Sequence, residues 1–129
     1  VIPYMEKSRQ SKDQQQISSL ATSMVSAIAQ DDSFDLATKA ATADITFELN
    51  KTNLTSKTSA TIESTFAELC GQADTDAVVT KVKSKFTSKK AKASGNKLYV
   101  TLKADGSVTI DLGTAAGTPA SAKLTVTTE

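Results

Sequence analysis

The chain has 129 residues, a net charge of +1, no His, no Trp and a single Cys. That length gives one domain, and the near-neutral balance argues against a general binder of nucleic acid or membrane surface. His-based catalysis and an internal disulfide are excluded within these residues, and no run of 18 apolar residues is present to span a bilayer. Ser and Thr make up 34 positions and Ala 18, a composition of small side chains and hydroxyls that suits a surface or extracellular protein.

In chain order, the first pattern is an apolar stripe. Ile17, Leu20, Ala21, Met24, Val25 and Ile28 follow helical spacing. Pro3 is tolerated in a first turn, and Asp31, Asp32 and Ser33 offer a stop. The spacing predicts one helix over 3–30, roughly 42 Å long. A compact domain of this size is only about 36 Å across, so the helix should protrude. "EKSRQSKDQQQ" (6–16) has no apolar residue and is expected to be solvated. Val1, Ile2, Pro3, Tyr4 and Met5 form an apolar cluster at its end.

Residues 44–49 alternate Ile45, Phe47 and Leu49 with polar residues, which favours a short strand; a helix through 33–49 is the alternative. "NKTNLTSKTS" reads as a polar loop with Asn-x-Thr triplets at Asn50 and Asn53. These are glycan acceptors in a eukaryotic secreted protein, or ordinary loop composition. Ile62, Phe66, Leu69 and Cys70 define a short helix at about 59–70 that stops at Gly71. Cys70 is expected as a buried or half-buried helix residue, not a nucleophile. Val79, Val82 and Phe86 suggest a helix at about 75–86, with a strand still open.

"KVKSKFTSKKAK" places Lys81, Lys83, Lys85, Lys89, Lys90 and Lys92 around Phe86. Either this run meets an anionic surface such as DNA, or it is a charged solvent face. Leu98, Val100 and Leu102, then Val108, Ile110 and Leu112, make a hairpin with Asp105-Gly106 as a two-residue turn. "TAAGTPASA" reads as a flexible loop, and "KLTVTT" as a further strand with Leu124 and Val126 facing in. The fold class is α+β: a long N-terminal helix on a C-terminal antiparallel sheet of three to four strands, with two short helices between. The chain divides into a helix (1–30), a connecting region (31–96) and a sheet (97–129).

No metal cluster of Cys and His and no phosphate or dinucleotide loop is present. Ser94 and Lys97 fit Ser-x-x-Lys, but in a turn that leads into a strand and without partner motifs. No cofactor and no metal is expected, and no enzyme activity.

A helix that opens "VIPYM", runs to residue 30 and precedes an antiparallel sheet resembles a type IV pilin, including the pilins of Gram-positive bacteria such as clostridia, which often lack the family's C-terminal disulfide. The resemblance implies an apolar helical half upstream of Val1, which anchors the subunit in the membrane and then forms a filament core. It implies a homo-oligomeric helical filament on the cell surface, joined by other pilins, for adhesion, motility or aggregation. Ile2, Pro3, Tyr4 and Met5 would take part in assembly. The regions 31–58 and 113–121 would be outer loops. Glu6, Lys7, Arg9, Lys12 and Asp13 would make intersubunit ion pairs or remain a solvated helix face. The alternatives are a minor or tip pilin, a surface adhesin domain, or a type II secretion pseudopilin. "DLGTAAGTPASAKL" has one acid and no Trp, unlike the calcium loop of the last.

Overall fold

A computed structural model describes residues 4–129. Helix α1 spans Tyr4–Ala29, about 39 Å of continuous helix. A loop with one short helix, α2 (Leu36–Lys39), leads to strand β1 (Ile45–Glu48). Helices α3 (Lys51–Lys57), α4 (Ala60–Leu69), α5 (Thr75–Lys85) and α6 (Lys89–Lys92) follow. Strands β2 (Lys97–Leu102), β3 (Val108–Ala115), β4 (Thr118–Pro119) and β5 (Thr125–Thr128) complete the chain.

The fold is α+β, with the long helix on an antiparallel sheet. The connecting region holds more helix than the two short ones expected. "NKTNLTSKTS" is not a loop. Asn50 accepts from the Asn53 N–H at 2.7 Å and caps α3, and buried Leu54 anchors that helix in the core. Ser59, Asp74 and Ser88 cap α4, α5 and α6 in the same way. Asn50, which reads as loop composition, thus starts a helix. The 31–58 region, expected as an outer loop, carries α2, β1 and α3.

The sheet has five strands in the order β1-β2-β3-β4, with β5 also on β3. β3 is the centre. Its first half pairs with β5, from Val108↔Thr128 to Asp111↔Thr125, and its end pairs with β4. "TAAGTPASA" is therefore ordered in part: β4 folds back on Gly113 and Ala115. A Cβ on Gly113 would run into the Thr118 carbonyl oxygen, so only glycine allows this approach. The β2–β3 connection also departs from the two-residue reading. Gly106 alone has a positive φ, of 92°, and Lys103 bonds to Ser107 across three intervening residues. A type I′ turn needs positive φ at both central residues, and Asp105 does not supply it.

The expected alternation holds. Leu98, Val100, Leu102, Val108, Ile110, Leu112 and Leu124 face inward and are buried, and Val126 is partly buried against them. Ile17, Leu20, Ala21, Met24 and Ala27 of α1 cover that face, and Ile62 and Phe66 of α4, which packs against α1, belong to the same core. The other sheet face is a row of threonines in register, Thr46, Thr101, Thr109 and Thr127, with a hydroxyl contact of 2.7 Å between Thr109 and Thr127. On the same face, buried Asp111 accepts from Thr125 Oγ1 and from the Gly117 N–H at 2.8 Å, which ties β5 and the β3–β4 turn to the central strand.

Candidate assembly surface

The first three turns of α1 offer no apolar residue to the core, yet they are not free. Glu6, Gln10 and Asp13 carry the apolar stripe of Ile17, Leu20, Met24 and Ala27 backwards along the same helix face, at alternating spacings of four and three. Gln10 is 4% and Asp13 1% exposed. The face they form is a polar seam. Asp13 accepts from the backbone N–H groups of Thr87 (3.0 Å) and Ser88 (2.8 Å). Ser88, fully buried, turns its hydroxyl to the Ala91 N–H and starts α6. Glu6 accepts from the Lys89 N–H at 2.9 Å and from Gln10 Nε2 at 2.8 Å. Those two bonds, with a longer one from the Lys90 N–H, hold its carboxyl below the ordinary range. Gln10 also accepts from Ser121 Oγ, and Lys123 Nζ donates to Ser11 Oγ.

The expectation of a solvated, protruding 6–16 segment is therefore corrected. The helix is longer than the hydrophobic core, but segments 86–92 and 121–123 fold along its polar length. Glu6 and Asp13 are committed to hydrogen bonds within the chain, whereas Lys7, Arg9 and Lys12 remain on the surface. The repeat that identifies the seam is present in the sequence. It is hidden because its contacts are carboxylate-to-amide rather than apolar, and a hydropathy pattern does not register them.

Of the residues expected at an assembly site, Ile2 and Pro3 lie outside the described residues. Tyr4 and Met5 stand in solvent, 85% and 62% exposed. The six lysines from Lys81 to Lys92 are all exposed. Among the described residues the one ion pair joins Lys97 to Glu48 at 3.6 Å and involves none of them. The two groups, far apart in sequence, end side by side: α6 begins against Glu6, the residue after Met5. The tip of the long helix thus presents two apolar side chains beside a basic rim.

The opposite end of α1 differs in charge. Asp31, Asp32 and Asp35 line a shallow groove with Asp105 of the β2–β3 turn, and no Lys or Arg lines it. Asp31 accepts from Ser59 Oγ at 2.6 Å and from Ser33 Oγ and N–H, which hold its carboxyl below the ordinary value. Asp35 and Asp105 are lowered in the same direction by their bonds to Thr38 and Ser107.

Cys70 is partly buried at the end of α4, and burial pushes its thiol above the ordinary range. Among the described residues no group of His, Cys, Asp and Glu is arranged to hold a metal ion, and no helix is long and apolar enough to cross a membrane. No protein-family model, curated protein or solved structure matches this chain.

Proposed function

We propose that the chain is the globular part of a type IV pilin-class subunit, which polymerises through its N-terminal helix into an extracellular surface filament. The observation that carries this reading is the tip of α1. A 26-residue helix clamped along its length to a sheet and to α6 ends in two large apolar side chains that the domain does not cover. Exposed neighbouring Tyr and Met at the end of a rigid rod have little use in an isolated molecule, and burial recovers about 25 cal/mol per Å² of apolar surface. The same order of elements, a long helix followed by an antiparallel sheet, underlies the resemblance of the "VIPYM" segment to that family.

In this reading the domain works by positioning. The seam of Glu6, Gln10 and Asp13 fixes the direction in which α1 leaves the domain, and the filament inherits that direction. Tyr4 and Met5 pack against neighbouring helices, and head-to-tail contacts that do not close generate a fibre. An upstream apolar helical half would hold the subunit in the membrane before assembly. The subunit does no chemistry.

The test is to read the native gene upstream of Val1. The reading expects a short basic leader ending in Gly, then about twenty apolar residues, the length of a membrane-spanning helix. A cleavable secretory peptide joined directly to Val1, or a polar domain there, would overturn it and favour a surface adhesin.

A further inference from the structure

The long helix separates two surfaces of opposite charge. Lys89 and Lys90 meet its first turns, the other exposed lysines from Lys81 to Lys92 lie in the segments that lead into and out of that contact, and Lys7, Arg9, Lys12 and Lys123 are on α1 or beside it: ten of the fifteen basic residues of the chain. The carboxylates of those turns, Glu6 and Asp13, are engaged by backbone N–H groups. About 35 Å along the helix, from Glu6 to Ala29, is the groove lined by Asp31, Asp32, Asp35 and Asp105. The negative end of the α1 dipole falls at the same place. An overall charge of +1 conceals this division.

We infer that the basic end of one chain docks on the acidic groove of a second copy, so that copies stack head to tail with their long helices parallel. The partner is named by complementarity: the groove exposes Asp32, Asp35 and Asp105 above the buried Asp31, with Lys103 the cation beside Asp105, and the basic rim offers lysines without an ion-pair partner among the described residues. Each surface lies at one end, so a bound pair still exposes one of each. The contact is heterologous and repeats without closing. The inference rests on the filament reading for its setting and adds the surface that orders neighbours along the axis. It also gives the lysine run a partner other than DNA.

Charge exchange tests it. Lys7→Glu, Lys81→Glu, Lys83→Glu, Lys85→Glu and Lys92→Glu together leave five basic residues against the new glutamates, Glu6 and Asp13, so both ends are acidic, and the Lys89 and Lys90 contacts to Glu6 are untouched. Asp32→Lys, Asp35→Lys and Asp105→Lys together set three lysines against Asp31, so both ends are basic, and Asp31 keeps its bonds. Sedimentation of the 129-residue chain is read in about 10 mM salt, where the Debye length is about 30 Å, and in about 1 M, where it is about 3 Å. The native chain should associate at low salt and be monomeric at high salt. Each variant alone should remain monomeric, and an equimolar mixture should associate again. A native chain that is monomeric at low salt overturns the inference, as does a mixture that stays apart while both variants remain folded by circular dichroism. Unchanged self-association of the lysine variant, together with loss of binding to a DNA duplex, would also overturn it and assign the basic end to nucleic acid. The two readings fail separately. Rescue by mixing without an upstream apolar segment leaves the stacking and removes the pilin; the upstream segment without rescue does the reverse.

Discussion

The carboxylate of Asp13 lies 2.8 Å from the backbone nitrogen of Ser88, 75 residues further along the chain. Asp13 is 1% exposed and Ser88 is fully buried. Among the described residues no cation pairs with it; the carboxylate is met by main-chain N–H groups, and the same bonds hold the Thr87–Ser88 turn against α1. This contact, with Glu6 at the start of α6, converts the outer half of a long helix from a free rod into a docked one.

Asp13→Ala should leave two N–H groups without acceptors. A buried orphan costs about 1–3 kcal/mol, and of the two the Ser88 N–H is buried and the Thr87 N–H partly so, so a total loss of about 2–3 kcal/mol is expected in urea unfolding. Asp13→Asn keeps an acceptor and should recover roughly half of that loss. Amide exchange at Thr87 and Ser88 should accelerate in both. Unchanged protection there would mean the bonds do not hold the turn.

Acid should loosen both ends of α1. Glu6, Asp31, Asp35 and Asp105 all titrate below their ordinary values because hydrogen bonds favour the charged form. A depressed carboxyl contributes stability that is present above its unfolded value and is lost as pH falls through its folded one. The urea midpoint should therefore be level near neutrality and fall once pH drops below about 4. Glu6→Gln should flatten part of that fall, and a slope that Glu6→Gln leaves unaltered would remove Glu6 from the account.

Much of this architecture is legible in the residues. The stripe from Ile17 to Ile28, the alternation in β2 and β3, the stop at Gly71 and the place of the turn at Gly106, though not its type, follow directly from periodicity and turn chemistry. What escapes that reading shares one cause. Asn50, Asp13, Asp111 and Gly113 act through hydrogen bonds or close backbone approach to segments distant in sequence or in an unexpected conformation, and a hydropathy pattern records none of these. Asn50 caps a helix whose other residues resemble a loop. Asp111, on the outer sheet face, binds Gly117 and Thr125 and so orders a segment rich in Ala, Gly and Thr. The apolar tip at Tyr4 and Met5 is visible in both sequence and structure. The charge division is not, because the lysine run meets α1 only after the chain has folded.

Gly113→Ala should separate β4 from β3. The added methyl meets backbone at Thr118 and Pro119, which cannot move aside as a side chain would. A loss of about 2–3 kcal/mol is expected, in the range of overpacked cores. The Ala120 and Gly117 amide resonances should shift. If they do not, the approach of the two strands is looser than described.

In the core, Phe66→Ala should cost about 3–5 kcal/mol, because the ring of this α4 residue is fully buried. Tyr4→Ala with Met5→Ala should leave the unfolding midpoint within about 0.5 kcal/mol of native, since both side chains stand in solvent. In the assembled filament that pair should instead weaken polymerisation. Equal effects on both properties would mean that the tip belongs to the fold.

Cryo-electron microscopy of surface filaments from cells that express the full native gene tests the central claim most directly. The account predicts filaments whose helical reconstruction accepts residues 4–129, with the Tyr4–Met5 end of α1 directed at the filament axis and the threonine face of the sheet outward. Filaments absent from expressing cells, or a reconstruction with that end of α1 at the outer surface, would contradict it.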